Sequence, residues 1–365
     1  MRYGPQVRSV FTRASAAIDR SVVRFMERRM APRTPRIHAA DAREKLLAIT
    51  RAYSDGTLSA PSPFFPTPIA PEIVLAPQGA GPLGTQVVDL SFSSDYQPFH
   101  PDARELYLAV RENLTCHARW WTSDRGRPTI VMIHGWGAGS HWVSERAFAV
   151  PYWLRHGYDV VAFVLPFHGA RSPTGSLNPI WPTPNPLRMN EGFGHAIYDL
   201  RALAMFLRAR GSSAVGVMGM SLGGYTTALW ASIAGPDDPG GVDFAVAMIP
   251  AVSFARLMWR HGDGTTAQRR AAGAGISEDM LVDAFAVHAP TTRPARVPRE
   301  RLYVIAGKGD RITPPDHAKA LGRHWGVDVA WFEGGHLAQL GRGDAVREVR
   351  RSLGAHGFAG RSFRS

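Results

Sequence analysis

The sequence predicts an α/β fold built on a mostly parallel sheet flanked by helices, and three observations carry that expectation. From residue 87 onward, short apolar segments alternate with helix-like ones. Residues 129–133, TIVMI, are apolar without interruption, as a strand covered on both faces must be. Residues 214–230, AVGVMGMSLGGYTTALW, run from an apolar strand through Gly219-Met220-Ser221-Leu222-Gly223 directly into a helical pattern.

A chain of 365 residues with 45% hydrophobic content can bury a sizeable core, as one large α/β domain with an extension or as two modest domains. No apolar run approaches the ~18 residues a bilayer span needs. The N-terminus carries positive charge but no apolar stretch followed by a small-residue cleavage site, so the expected location is cytoplasmic. Cys116 is the only cysteine, which excludes an internal disulfide framework and a thiolate metal cluster within the chain; it reads as a buried small residue. The net charge of +12 invites a nucleic-acid reading, but residues 1–36 hold +7 and residues 342–365 hold +4. The main body is left nearly neutral, so no nucleic-acid groove is expected.

Taken in order, residues 8–30 place Phe11, Ala14, Ile18, Val22, Phe25 and Met26 near one helical face, with Arg13, Arg20, Arg24 and Arg28 largely away from it. This basic amphipathic helix is expected to dock its apolar face on the protein's own body or a second subunit, or to make peripheral contact with an anionic membrane. Residues 41–53 read as a second helix. Six prolines between residues 61 and 77 forbid regular helix and predict an extended strap. The pattern therefore divides into a helical and proline-rich extension, 1–86, and an α/β domain, 87–365.

Within that domain, strands are expected at 87–92, 114–121, 129–133, 159–165, 214–218, 244–249, 302–306 and 327–332. Helices are expected at 144–156, 190–210 (stopped by Gly211), 222–233, 317–324 and 344–353. Residues 166–186 are proline-rich and predict a long loop. Residues 253–297 break the alternation and read as a cap or lid insertion over a pocket.

A serine hydroxyl is a poor nucleophile at neutral pH and needs a base in hydrogen-bond reach, itself oriented by a third group. On a sharp strand–turn–helix elbow, glycines two residues either side of the serine let strand and helix approach. Ser221 stands at such a position. The acid is expected after a later strand and the histidine after the next; Asp310, in Gly307-Lys308-Gly309-Asp310-Arg311, and His336, in Glu333-Gly334-Gly335-His336-Leu337, meet that order. Glu333 is the competing acid. Thr313-Pro314-Pro315-Asp316 reads as a helix start, with Thr313 as N-cap and Asp316 as a capping group. An oxyanion needs two backbone N–H donors, and these are expected from Leu222 and Trp136, the latter in His134-Gly135-Trp136-Gly137. The stretch GWGAGS also approaches a dinucleotide-binding fingerprint, but Ser140 replaces the third glycine, and Leu165-Pro166-Phe167 stands where a ribose-binding acid belongs. No cofactor and no metal are expected.

With HGWG after the third strand, PFHGARS after the fourth, GMSLGG at the elbow, GKGDRITPP and GGH, the chain resembles the α/β-hydrolase superfamily across about residues 87–355. The resemblance implies an eight-stranded, mostly parallel sheet, a Ser221–Asp310–His336 triad, no cofactor and a cap over the site. It also sets His168 at a position that commonly borders the active site, although holding its own loop by hydrogen bonds is an equally physical role. The implied activity is hydrolysis of a small-molecule carboxylic ester. Trp136, Phe167, His168 and Met220 are candidates to bind substrate, with Trp142, Tyr225 and Trp181 as further apolar lining. An acyltransferase or thioesterase with the same triad, and a non-catalytic binding member of the fold, are the alternatives. Residues 1–86 fall outside the resemblance.

Overall fold

A computed structural model describes residues 10–29, 39–123, 126–173 and 179–358. Two helices come first, α1 (Val10–Arg29) and α2 (Ala39–Ser54). The strands are β1 (Val74–Ala80), β2 (Gln86–Ser93), β3 (Thr115–Thr122), β4 (Thr129–Ile133), β5 (Asp159–Phe163), β6 (Val215–Met220), β7 (Phe244–Met248), β8 (Leu302–Gly307) and β9 (Val329–Phe332). They form one sheet in the order β1-β2-β3-β5-β4-β6-β7-β8-β9. The pairs from β5 through β9 are parallel, whereas β1, β2, β3 and β5 pair antiparallel. This is the mostly parallel sheet of the α/β-hydrolase fold, with one strand beyond the eight expected.

The additional strand is β1, drawn from the end of the proline-rich strap and lying before the expected boundary at residue 86. Proline counts against a strand only where its missing N–H faces a partner, and β1 is exposed along its whole length at the sheet edge. Its register slips between Pro77 and Gly79, where the chain absorbs that proline.

The central strands β4, β5, β6 and β7 are buried at every residue, which is why they read as apolar runs and not as alternation. Side chains still divide by parity between two cores. Val131 and Ile133 of β4 face α6 (Pro186–Ala209) and α7 (Leu222–Ile233). Ile130 and Met132 face Trp153 and Leu154 of α5 (Val150–Arg155), and the same core takes in Val349 and Leu353 of α12 (Arg342–Leu353). The helix expected over 144–156 is two pieces, α4 (His141–Ala147) and α5, because Ala149 between them takes a left-handed φ of 52°. A short α3 (Pro101–Leu108) precedes β3.

Between β7 and β8 the insertion forms α8 (Phe254–His261), α9 (Thr266–Gly273) and α10 (Glu278–Ala284). It rests on α2 through α9 and α10, so the extension and the insertion pack together. Glu191 on α6 anchors this region. Fully buried, it accepts hydrogen bonds from the Phe99 and His100 N–H groups, both at 2.9 Å, and from the Tyr53 and Tyr96 hydroxyls. Tyr53 closes α2, so one carboxylate fastens the extension to the core.

The docking face of α1 differs from the one the apolar pattern predicts. Thr12, Ser15, Ala16 and Asp19, at helical spacing, are the buried positions, while Phe11 and Ile18 are 63% and 48% exposed. Val22, Phe25 and Met26, expected on the same apolar face, have side chains outside the described residues. A polar face docks because its partners are backbone N–H groups and a glutamate, described below. No helix among the described residues is long and apolar enough to cross a membrane.

Candidate active site

Ser221 follows β6 and precedes α7 with φ 58° and ψ −113°, a backbone state that costs a non-glycine residue about 1–3 kcal/mol. The turn is held by hydrogen bonds from Ser221 N–H to Met248 O at 3.0 Å and from Tyr225 N–H to Ser221 O at 3.0 Å. Its flanking glycines are sterically required. A Cβ on Gly219 would stand 2.1 Å from Gly223 O, and one on Gly223 would stand 1.9 Å from Ile133 O. The elbow thus presses directly on the end of β4, where Gly135 passes Ser221; a Cβ there would lie 3.4 Å from the serine Cβ and 4.0 Å from its Oγ. Chain direction diverges from β4 to β5 on one side and β6 on the other, so this junction is the crevice where α/β sheets receive ligands.

The loop after β4 is oriented by His134. Its Nε2 accepts from Leu165 N–H at 3.1 Å, which leaves the proton on Nδ1 to be donated to Gly135 O at 2.8 Å. Burial pushes this imidazole down to about 4, so it is neutral and keeps that tautomer. Ala138 N–H, at 3.3 Å, also donates to Gly135 O. In a trans peptide the N–H points opposite to its carbonyl, so anchoring Gly135 O fixes the direction of the Trp136 N–H. The Trp136 side chain is 39% exposed at the rim.

Asp310 follows β8 and His336 follows β9, and the two side chains meet: His336 Nδ1 lies 2.8 Å from Asp310 Oδ2. The carboxylate is 1% exposed and receives Ile312 N–H at 2.9 Å and Thr313 N–H at 2.8 Å on its other oxygen. Burial alone would lower the His336 pKa, but the Asp310 charge and hydrogen bond, with Asp19 behind, outweigh it and raise the imidazole above its ordinary 6.5. Ser221 Oγ makes no hydrogen bond to His336 among the described residues; such contacts commonly tighten only with substrate bound.

Thr313 joins this group, contrary to its reading as an N-cap. Helix α11 (Pro315–Trp325) begins after Pro314, and Asp316 reaches only Arg260, at 3.5 Å. The Thr313 hydroxyl instead stands 3.0 Å from Asp310 Oδ2, 3.0 Å from His336 Nδ1 and 2.9 Å from Ile249 O. Its T-P-P-D setting carries only a local helix signal, and nothing in the sequence separates the two roles. Glu333, the competing acid, pairs with Lys308 and Thr12 instead.

Among residues expected to bind substrate, placement differs. Phe167 and His168 are fully buried; Phe167 N–H donates to Asn113 Oδ1 at 2.9 Å, and His168 Nδ1 donates to Pro166 O at 2.9 Å. Burial takes the His168 imidazole down to about 3, so it stands as a neutral loop-holding group and not at an open surface. Trp181 and Tyr225 are likewise core residues: Trp181 Nε1–H donates to Met189 O at 3.1 Å and the Tyr225 hydroxyl pairs with His288 at 2.6 Å. Met220 is buried beside the elbow, its sulfur 3.6 Å from Arg342 Nη1. Trp136, Leu337 and Leu340 are exposed apolar side chains of the loops after β4 and β9, and Trp142 is exposed on α4.

Comparison with known proteins agrees with this architecture. The family described as "alpha/beta hydrolase fold" matches residues 128–279, a span that includes Ser221 and stops before Asp310. Two uncharacterised proteins of Mycobacterium tuberculosis are similar in sequence. MT2702 (strain CDC 1551 / Oshkosh) is 26% identical over 311 residues, 83% of this chain and 72% of its own length. Rv2627c (strain ATCC 25618 / H37Rv) is 26% identical over 275 residues, 73% of this chain and 64% of its own length. Among solved structures, acetyl xylan esterase 1 from Thermoanaerobacterium sp. JW/SL YS485 superposes with TM-score 0.56 at 17% identity, covering 83% of this chain and 93% of that one. The acetyl xylan esterase from Paenibacillus sp. R4 gives 0.55 at 14% identity, covering 88% and 96%. Sheet order, the tight turn at Ser221 and these matches converge on one architecture: the chain has the α/β-hydrolase fold.

Proposed function

We propose that the protein is a serine hydrolase that cleaves a carboxylic ester through an acyl-enzyme. The observation that most supports this is the buried Asp310–His336 pair, at 2.8 Å, carried after β8 and β9 of the same sheet whose β6 leads into a serine held at φ 58°. In this reading Ser221 Oγ attacks the carbonyl carbon while His336 Nε2 takes the hydroxyl proton. Asp310 keeps the other imidazole proton on Nδ1 and balances the imidazolium that forms. The oxyanion accepts from the N–H groups of Leu222, at the start of α7, and Trp136. Collapse of the tetrahedral adduct breaks the C–O bond, and His336 returns its proton to the departing alkoxide. Water, deprotonated by the same imidazole, then attacks the acyl carbon and releases Ser221.

Trp136 and Leu337, exposed on the loops that follow β4 and β9, favour in this reading an apolar acyl or alcohol group over a charged one. Because two of the solved structures with this fold are acetyl xylan esterases, acetyl esters are the first substrates to assay, followed by longer acyl chains. A fluorophosphonate is expected to label wild type at Ser221, and Ser221→Ala is expected to lose both the label and p-nitrophenyl ester turnover. A folded wild type that is neither labelled nor active on any ester of the series refutes the proposal.

A further inference from the structure

Asp19 is a fully buried carboxylate on α1, outside the stretch that resembles hydrolases. Its Oδ2 accepts from the N–H of His336 at 2.8 Å and of Arg311 at 3.1 Å, and its Oδ1 from the N–H of Leu337 at 3.2 Å. One side chain thus binds the residue after the acid, the base itself and the residue after the base. Without it the buried His336 N–H would be orphaned, at about 1–3 kcal/mol, and the part-buried N–H groups of Arg311 and Leu337 would lose their acceptor. The loops are also shaped for the helix. A Cβ on Gly335 would stand 2.6 Å from Asp19 Oδ2, and one on Gly309 would stand 2.8 Å from Thr12 O. Both loops carry glycine where α1 comes closest. A second contact, the Thr12 hydroxyl on Glu333 O at 2.8 Å, holds the same helix about two turns away.

We propose that Asp19 is a positioning residue for the triad: α1 supplies, from outside the hydrolase core, the carboxylate that fixes the acid-bearing and base-bearing loops together and sets a negative charge behind His336. The inference rests on the hydrolase reading of Ser221, Asp310 and His336. Its electrical part depends on what else surrounds the imidazole. Asp310 faces its Nδ1, and Asp19 lies on its backbone side. Arg342 of α12 approaches through Gln339, which donates to His336 O at 3.0 Å. The Lys308–Glu333 pair closes the loop ends, Arg311 adjoins Asp310, and His317 lies on α11 beyond Asp310. Of the two carboxylates here outside the triad, Glu333 is paired with Lys308, whereas Asp19 accepts from the His336 N–H and is the one to neutralise.

The test uses the full chain. Asp19→Asn removes the charge and leaves one oxygen for three donors. We expect kcat to fall about tenfold or more, since sub-ångström misplacement of a catalytic group is costly. With one negative charge gone, the imidazolium is less favoured, so the His336 titration followed by NMR moves down, as does the acid limb of kcat/KM. Asp19→Glu keeps the charge but not the geometry, and is expected to hold the titration near wild type while kcat falls. A folded Asp19→Asn with wild-type kcat and wild-type His336 titration overturns the proposal. Should Asp19→Asn not fold, an Asp19→Glu protein with wild-type kcat overturns it as well. A wild type inactive on every ester, in which Asp19→Asn still moves the His336 titration, overturns the hydrolase reading and supports the coupling.

Discussion

Replacing Gly223 by alanine tests the contact on which the whole elbow depends. The added Cβ would meet Ile133 O at 1.9 Å, Ile133 C at 2.6 Å and His134 O at 2.8 Å. All three are backbone atoms, so no side chain can rotate away. Restoring ordinary contact at 3.4 Å requires the first turn of α7 and the end of β4 to separate by about 1.5 Å. Overpacking of this kind costs about 3 kcal/mol, which for a chain of this size lowers Tm by roughly 5 °C. The same separation pulls apart the two N–H groups proposed to hold the oxyanion, since Leu222 moves with α7 and Trp136 with β4. A misplacement of about 1 Å is worth about 100-fold in rate. Thermal unfolding by circular dichroism and kcat/KM on p-nitrophenyl acetate measure the two effects separately. Gly273→Ala is the control: no atom lies within 4 Å of its Cβ, and in α9 alanine is expected to be neutral or to stabilise by up to about 1 kcal/mol. A Gly223→Ala protein with wild-type Tm and wild-type kcat/KM refutes the argument that this close approach sets the site.

Asp310→Asn is expected to reduce kcat by about 10⁴ while the protein stays folded, because an amide can donate to His336 Nδ1 and so stabilises the wrong tautomer; a loss under about tenfold contradicts the assigned role. The raised His336 pKa puts the acid limb of kcat/KM above pH 6.5, since the base must be neutral to act. By linkage, the stability that this histidine contributes is full below its unfolded value and is lost as pH rises through the folded one, which Tm against pH compared with His336→Gln reads out. Glu191→Leu strands the Tyr53 and Tyr96 hydroxyls and two N–H groups, and is expected to cost about 3 kcal/mol or more in urea unfolding. The exposed flank of α1, with Val10, Phe11 and Ile18 beside Arg13 and Arg20, is proposed to touch anionic membrane. Full-length protein is then expected to float with phosphatidylserine vesicles at low salt and Phe11→Glu/Ile18→Glu to remain behind, whereas equal partitioning removes the idea.

What could be read beforehand follows the range of the physics. Residues 129–133 and 222–233 match β4 and α7 at both ends, because buried parallel strands and the helix they feed are written in continuous local sequence. Asp310 and His336 could be singled out because each follows a strand, and strand ends are legible. Thr313 could not: its helix-start pattern and its bond to Asp310 use the same letters, and only tertiary structure decides between them. The docked face of α1 was hidden for a related reason. Apolar periodicity finds faces that bury carbon, whereas this face meets backbone N–H groups nearly the whole chain away. Phe167 and His168 show the converse, since a motif position says which loop a residue belongs to and not whether its side chain faces solvent or core.

The contact between Asp19 and the His336 loop joins residues 317 positions apart. During synthesis α1 leaves the ribosome before the sheet exists, and its binding place is made 317 residues later. At about 5–20 residues per second, the helix waits roughly 15 to 60 s for the amides of Arg311, His336 and Leu337. Through that interval Asp19 stays hydrated and the hydrolase sheet assembles without it. Docking of α1 therefore follows assembly of the strands, and a nascent chain is expected to acquire its native strand order before it acquires a fully ordered His336 loop.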